Sequence, residues 1–94
     1  MEPKVITVDG IELSPRRDMA DDYDVVEAVA VSSDPDAPDY AKTRATVRIY
    51  RALLGDDYDR VKAELRERGG GKLPASAMID FMAKVMAAMA EAKN

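Results

Sequence analysis

The chain contains no cysteine and no histidine. Without thiols there is no disulfide, no thiolate metal site and no Cys nucleophile; without imidazole there is no His general base and no His-based triad. The lack of Cys is compatible with a reducing cytosol. Tryptophan is missing too, and the aromatics are Phe81 and four tyrosines, Tyr23, Tyr40, Tyr50 and Tyr58. Apolar residues nevertheless make up 47% of the 94, so Ala, Val, Leu, Ile and Met have to fill the core. Such a composition suits close helix packing better than a β-sandwich, which draws on more β-branched and aromatic residues. No apolar run reaches the length of a membrane span or the core of a secretory signal. A net charge of −4 argues against non-specific nucleic-acid binding, which depends on neutralising phosphates. The expectation is a soluble, intracellular chain of one modest domain, without a nucleic-acid or membrane partner; a chain of this size buries roughly two thirds of its unfolded surface.

What is present reads as punctuation between helices. Lys4-Val-Ile-Thr-Val-Asp-Gly-Ile-Glu-Leu13 places β-branched residues around Asp9-Gly10. An Asp-Gly pair suits a type I′ turn, which needs φ > 0 at both central positions. Strands are predicted over 5–8 and 11–13. A lone two-stranded hairpin is marginal in water, so it must dock on the helices or pair with another chain's strand. Ser14-Pro15-Arg16-Arg17 is a break. A first helix is predicted from Met19 or Asp22 to Val31, with Asp21 or Asp22 as N-cap and Met19, Tyr23, Val26, Val29 and Ala30 as its apolar stripe. Two prolines and three acids make 32–39 a loop. Its acids could imitate a calcium loop, but counting from Asp34 the sixth and twelfth positions hold Asp39 and Ala45, where an EF-hand needs Gly and a bidentate Glu.

A second helix is predicted over 40–54, with Tyr40, Thr43, Val47, Tyr50 and Leu54 at steps of three and four and Arg44, Arg48 and Arg51 as a neighbouring stripe. Gly55 stands where a left-handed C-cap belongs. Asp56 suits the N-cap of a third helix, and Asp57 and Asp59 its positive first turn. Tyr58, Val61 and Leu65 form that helix's buried line, and Gly69-Gly70-Gly71 stops it. Pro74 suits the first turn of a fourth helix that runs to Ala92, with Asp80, Lys84 and Glu91 as a thin polar edge.

Several constellations invite a chemical reading. The glycines before Lys72 suggest a phosphate loop, but Leu73 follows Lys72 and no strand precedes it, so a flexible turn fits better. The acids at 21–22 and 56–59 stand where helices start, and capping accounts for them better than a carboxylate pair acting as acid and base. Arg44, Arg48 and Arg51 have two readings: a face that meets an acidic partner or phosphates, or a solvated face answered by acids of the same chain. Met78, Met82, Met86 and Met89, with Val85, recur at steps of three and four. They either fill an aromatic-poor core or form an adaptable binding surface, since flexible methionines repack around varied apolar helices. Ile79 and Phe81 leave the helix apolar around most of its circumference, and such a helix is central or bound to something.

The stretch Arg51-Ala-Leu-Leu-Gly-Asp-Asp-Tyr-Asp-Arg-Val-Lys-Ala-Glu-Leu-Arg66 resembles the phage tail assembly chaperones, in which a helix ending Leu-Leu-Gly meets an acidic, Tyr-containing helix start. Lys72-Leu73-Pro74 and the Met/Phe-rich helix after it are similar to that family's C-terminal region. Tyr23-Asp24-Val25-Val26-Glu27 resembles its first helix, and the hairpin-like N-terminus resembles several members; 32–39 matches least. These are patterns of caps and apolar spacing, not catalytic signatures. The resemblance implies a protein of the host cell cytoplasm that binds the tape measure protein, a long helical chain, before tail-tube subunits polymerise around it. Exposed apolar helix faces aggregate, and helix-in-groove contacts would cover them reversibly. In many members a programmed frameshift adds an extension implicated in recruiting the tail-tube protein. Ala92-Lys93-Asn94 is compatible with a slippery A AAA AAC when the Ala92 codon ends in A.

The sequence thus predicts a mainly α fold of about four helices in a small bundle with a short N-terminal hairpin: a single domain, with 1–14 as hairpin or arm and 18–94 as the helical part. It predicts no enzyme, no cofactor and no metal. Met78, Phe81, Met82, Met86 and Met89 are the expected partner-binding apolar residues, with Arg44, Arg48 and Arg51 as a charged rim; a homo-oligomer is also open. The alternative is another small virion or assembly component, such as a head–tail joining protein. A helical DNA-binding regulator is disfavoured by charge and lacks a basic recognition helix.

Overall fold

The computed structural model describes residues 5–92; Lys4, at the head of the hairpin segment, and Lys93-Asn94 lie outside them. The fold is mainly α, as composition predicts. Among the described residues the elements are strands β1 (Ile6–Val8) and β2 (Ile11–Leu13), a single 3-10 turn (Met19–Asp21), and helices α1 (Tyr23–Ser33), α2 (Asp39–Leu54), α3 (Asp57–Arg68) and α4 (Ala75–Ala92). None of these helices is long and apolar enough to cross a membrane. They form two compact units, Met1–Pro15 with Asp56–Asn94, and Arg16–Gly55.

In the first unit the hairpin follows from its turn. Asp9 and Gly10 have φ of 51° and 81°, the two positive values a type I′ turn demands. The antiparallel register Ile6↔Leu13, Thr7↔Glu12, Val8↔Ile11 puts Val8, Ile11 and Leu13 on one face, and all three are buried. That face docks within the chain, with α4 lying on β1 and α3 beside α4. Tyr58 and Val61 of α3 and Phe81, Met82 and Val85 of α4 complete the buried set.

Polar contacts fix the hairpin's edges. The Ser14 backbone N–H donates to Asp57 Oδ2 at 3.0 Å, and Asp57 also pairs with Arg60 at 2.9 Å. Arg60 donates to the Glu12 carbonyl. Arg68 donates to the Asp9 carbonyl at 2.6 Å, and Lys84 pairs with the Asp9 carboxylate at 3.0 Å. Asp56 stands at the N-cap of α3 in helical conformation with no side-chain cap bond, contrary to expectation. The acid that matters there is its neighbour Asp57, which accepts from the incoming strand.

In the second unit α1 packs along α2. Asp22 caps α1, its carboxylate accepting from the Asp24 N–H at 3.1 Å, and Arg16 bridges Asp18 and Asp22 at 2.9 and 3.2 Å. The Gly55 N–H closes α2 on the Arg51 carbonyl at 2.8 Å, with φ of +55°, a value that favours glycine. Of the apolar stripes expected for these helices, Leu54 is buried and the rest are corrected. On α1 the buried residues are Val25 and Ala28, while Tyr23, Val26, Val29 and Ala30 are exposed; on α2 Ala45 and Leu53 join Leu54, while Tyr40, Thr43 and Val47 are exposed and Tyr50 is intermediate. The buried line of α1 and α2 thus combines two small side chains, Ala28 and Ala45, with Val25, Leu53 and Leu54.

Two stability predictions follow from the first unit. Phe81→Ala, at a position 1% exposed, should cost about 3–5 kcal/mol in urea unfolding, whereas Met86→Ala on the same helix should stay within about 0.5 kcal/mol. The Asp57 carboxyl is held below its usual range by the Ser14 N–H and then by Arg60. Its contribution to stability is therefore complete above the ordinary carboxylate value, about 3.9, and is lost as pH falls through the lower folded-state value. Asp57→Asn should lower stability at pH 7 by about 1 kcal/mol and flatten the acid limb of a stability-versus-pH curve.

Candidate functional site: two exposed helix surfaces

The residues expected at a binding surface divide between the units. Met78, Phe81, Met82, Met86 and Met89 lie on α4 of the first, and Arg44, Arg48 and Arg51 on α2 of the second.

On α4 the single methionine stripe resolves into two sides. Phe81, Met82 and Val85 are at most 2% exposed, and Met78 and Met89 flank them at intermediate exposure. These residues serve the unit's own core. Met86 lies about 100° round the helix from Val85 and about 40° from Met82, at the edge of the buried side. It is 49% exposed and Ile79 54%. Ala83, Ala87 and Ala90 are exposed as well, and with Ile79 and Met86 they recur at helical spacing along a second side. Ile79 and Met86 are the only large side chains of that strip, with alanines between and beyond them. A strip of this kind can receive an apolar helix at close range. Lys84, held to Asp9, marks its polar border.

On α2, Tyr40, Thr43, Arg44, Val47, Arg48 and Arg51 are all exposed and share one side at steps of three and four. A shallow groove runs between α1 and α2, lined by Glu27, Ala28 and Val31 from one helix and Tyr40, Ala41, Arg44, Ala45 and Arg48 from the other. A second depression on α2 is bordered by Thr43, Val47 and the three arginines. Arg44 and Arg48 form no ion pair among the described residues. Glu27 is the acid that lines the same groove as both.

Where pKa values move, the cause is structural. Arg16 is raised and Asp18 lowered by the hydrogen bond between them, and burial pushes Tyr50 up. Among the described residues no cluster of carboxylates could hold a metal ion. The loop is shorter than the expected 32–39, because Ser32 and Ser33 end α1 and Asp39 opens α2; it closes on itself, the Asp34 carboxylate accepting from the Asp36 N–H at 2.9 Å.

One further signal is present in the sequence but not in its motifs. From Asp18 to Asp39 the acids are Asp18, Asp21, Asp22, Asp24, Glu27, Asp34, Asp36 and Asp39, with no basic residue among them; from Tyr40 to Gly55 the charges are Lys42, Arg44, Arg48 and Arg51, with no acid. Net charge averages this segregation away. Counting charge by segment would have exposed an acidic helix joined to a basic one.

Comparison with protein families, with curated proteins and with solved structures finds no match for this chain. The two surfaces are amphipathic, shallow and carried on helix faces, which suits protein recognition.

Proposed function

We propose that this chain is a phage tail assembly chaperone that binds the tape measure protein and keeps it from aggregating in the host cell cytoplasm while the tail tube assembles. The observation that carries this reading is the second apolar side of α4. Phe81, Met82 and Val85 already supply the core from this helix, and Ile79 and Met86 stay about half exposed beside them.

The chemistry of that strip matches the client. A long helical chain presents a continuous apolar face, and leaving it in water invites aggregation. Alanines at 83, 87 and 90 let a client helix lie close, and Ile79 and Met86 interdigitate with its side chains. The thioether of Met86 adapts to different partners along a long sequence, which one rigid pocket could not do. The same role asks for reversible binding and no bond chemistry, so it is a non-enzymatic one. The resemblance of 51–66 and of the Met/Phe-rich last helix to the tail assembly chaperones supports the same reading.

Co-expression with the tape measure protein of the same phage or prophage tests it. The wild-type chain should raise the soluble fraction of that protein and co-purify with it. Ile79→Glu/Met86→Glu, at exposed positions where folding is little affected, should weaken capture tenfold or more, a loss of at least about 1.4 kcal/mol. A soluble fraction that is the same with and without the wild-type chain would sink the proposal.

A further inference from the structure

The α1–α2 pair carries a surface that α4 does not explain. Five of the eight large apolar side chains left exposed in the described residues sit on these two helices, Tyr23, Val26, Val29, Tyr40 and Val47; Val26 and Val29 lie about 100° or more round α1 from Glu27, and Tyr23, Tyr40 and Val47 remain for the side that bears the groove. Tyr23 stands one turn before Glu27 on the α1 edge of the groove, while Tyr40, Arg44 and Arg48 form its α2 edge. Glu27 and the two arginines line one groove without closing an ion pair. With Asp24, exposed on α1 three residues before Glu27, the unit displays an acidic ridge and a basic ridge side by side, each with a tyrosine, over a floor of Ala28, Ala41 and Ala45.

The complement of such a surface is the surface itself. We propose that the α1–α2 pair is a self-association site and that its occupant is the same helix pair of a second copy of this chain. A two-fold axis parallel to the helices lays the second copy's α2 over α1 and its α1 over α2. Each acidic ridge then meets a basic ridge, twice, as an isologous contact requires. Arg44 and Arg48 gain the carboxylates they lack within the chain, and Tyr23, Tyr40 and Val47 leave water. A two-fold axis perpendicular to the helices would stack like on like, so charge selects between the two arrangements.

Sedimentation velocity on the full chain tests this. At micromolar concentration and low ionic strength the wild-type protein should run at the mass of a dimer, and it should dissociate as salt is raised, because the contact is partly electrostatic. Arg44→Glu/Arg48→Glu leaves both ridges acidic, and Asp24→Lys/Glu27→Lys turns the acidic ridge basic. Each variant alone should bind itself at least tenfold more weakly and run as a monomer with unchanged helical circular dichroism. Mixed one to one they should recover the dimer mass, since in the mixed pair every ridge again faces its opposite. A wild-type chain that stays monomeric at low salt overturns the proposal whatever the variants do. So does a dimer that neither salt nor the charge reversals disturb, or a mixture of folded variants that remains monomeric.

Discussion

The burial of one side of α4 is the contact on which the first unit depends. With a single phenylalanine and no tryptophan in the chain, few side chains are large enough to organise a core, and Phe81, Met82 and Val85 do so from adjacent turns of one helix. Fully burying a side chain of this size contributes about 1.5–3 kcal/mol, against a total stability of about 5–15 kcal/mol for a small domain. The hairpin makes that burial possible. Three residues per strand could not persist alone, but the face formed by Val8, Ile11 and Leu13 gives α4 something flat and apolar to lie on.

Charged side chains turn that docking into a defined register. Asp57, Arg60, Arg68 and Lys84 each reach the hairpin at a different point: the exit of β2, the Glu12 carbonyl, and the Asp9 carbonyl and carboxylate at the turn. Exposed ion pairs contribute little energy individually. Their value here is geometric, because each bond is satisfied only if the two-residue turn sits over α3 and α4 in one way. The hairpin segment thus belongs with the C-terminal helices in space, although α1 and α2 intervene in the chain.

Much of this was legible in the sequence. Asp9-Gly10 announced its turn, Gly55 its helix end and Asp22 its cap, because each is a local requirement met by a local residue. Tyr58 and Val61 were found by spacing alone. On α1 and α2 hydrophobic periodicity ranks Tyr and Val above Ala, so it passes over Ala28 and Ala45, which are buried along with Val25, Leu53 and Leu54. Local sequence shows Asp57 only as an acid in a helix's first turn, because its partner, Ser14, is remote in the chain. On α4 the methionines at 78, 82, 86 and 89 fit one stripe by number, yet Met86 is half exposed where Met82, one turn before it, is buried. The charge segregation of α1 and α2 is a property of the sequence that net charge over the whole chain averages away.

The account of function rests on α4 having two apolar sides with different tasks, one committed to its own core and one left for a helical client. Methyl NMR of the protein with labelled methionines reads this directly, using a soluble paramagnetic probe that broadens exposed methyl groups. Met86 should be strongly broadened and Met82 protected, with Met78 and Met89 between them. Equal broadening of all four, or protection of Met86 in the isolated chain, would contradict it.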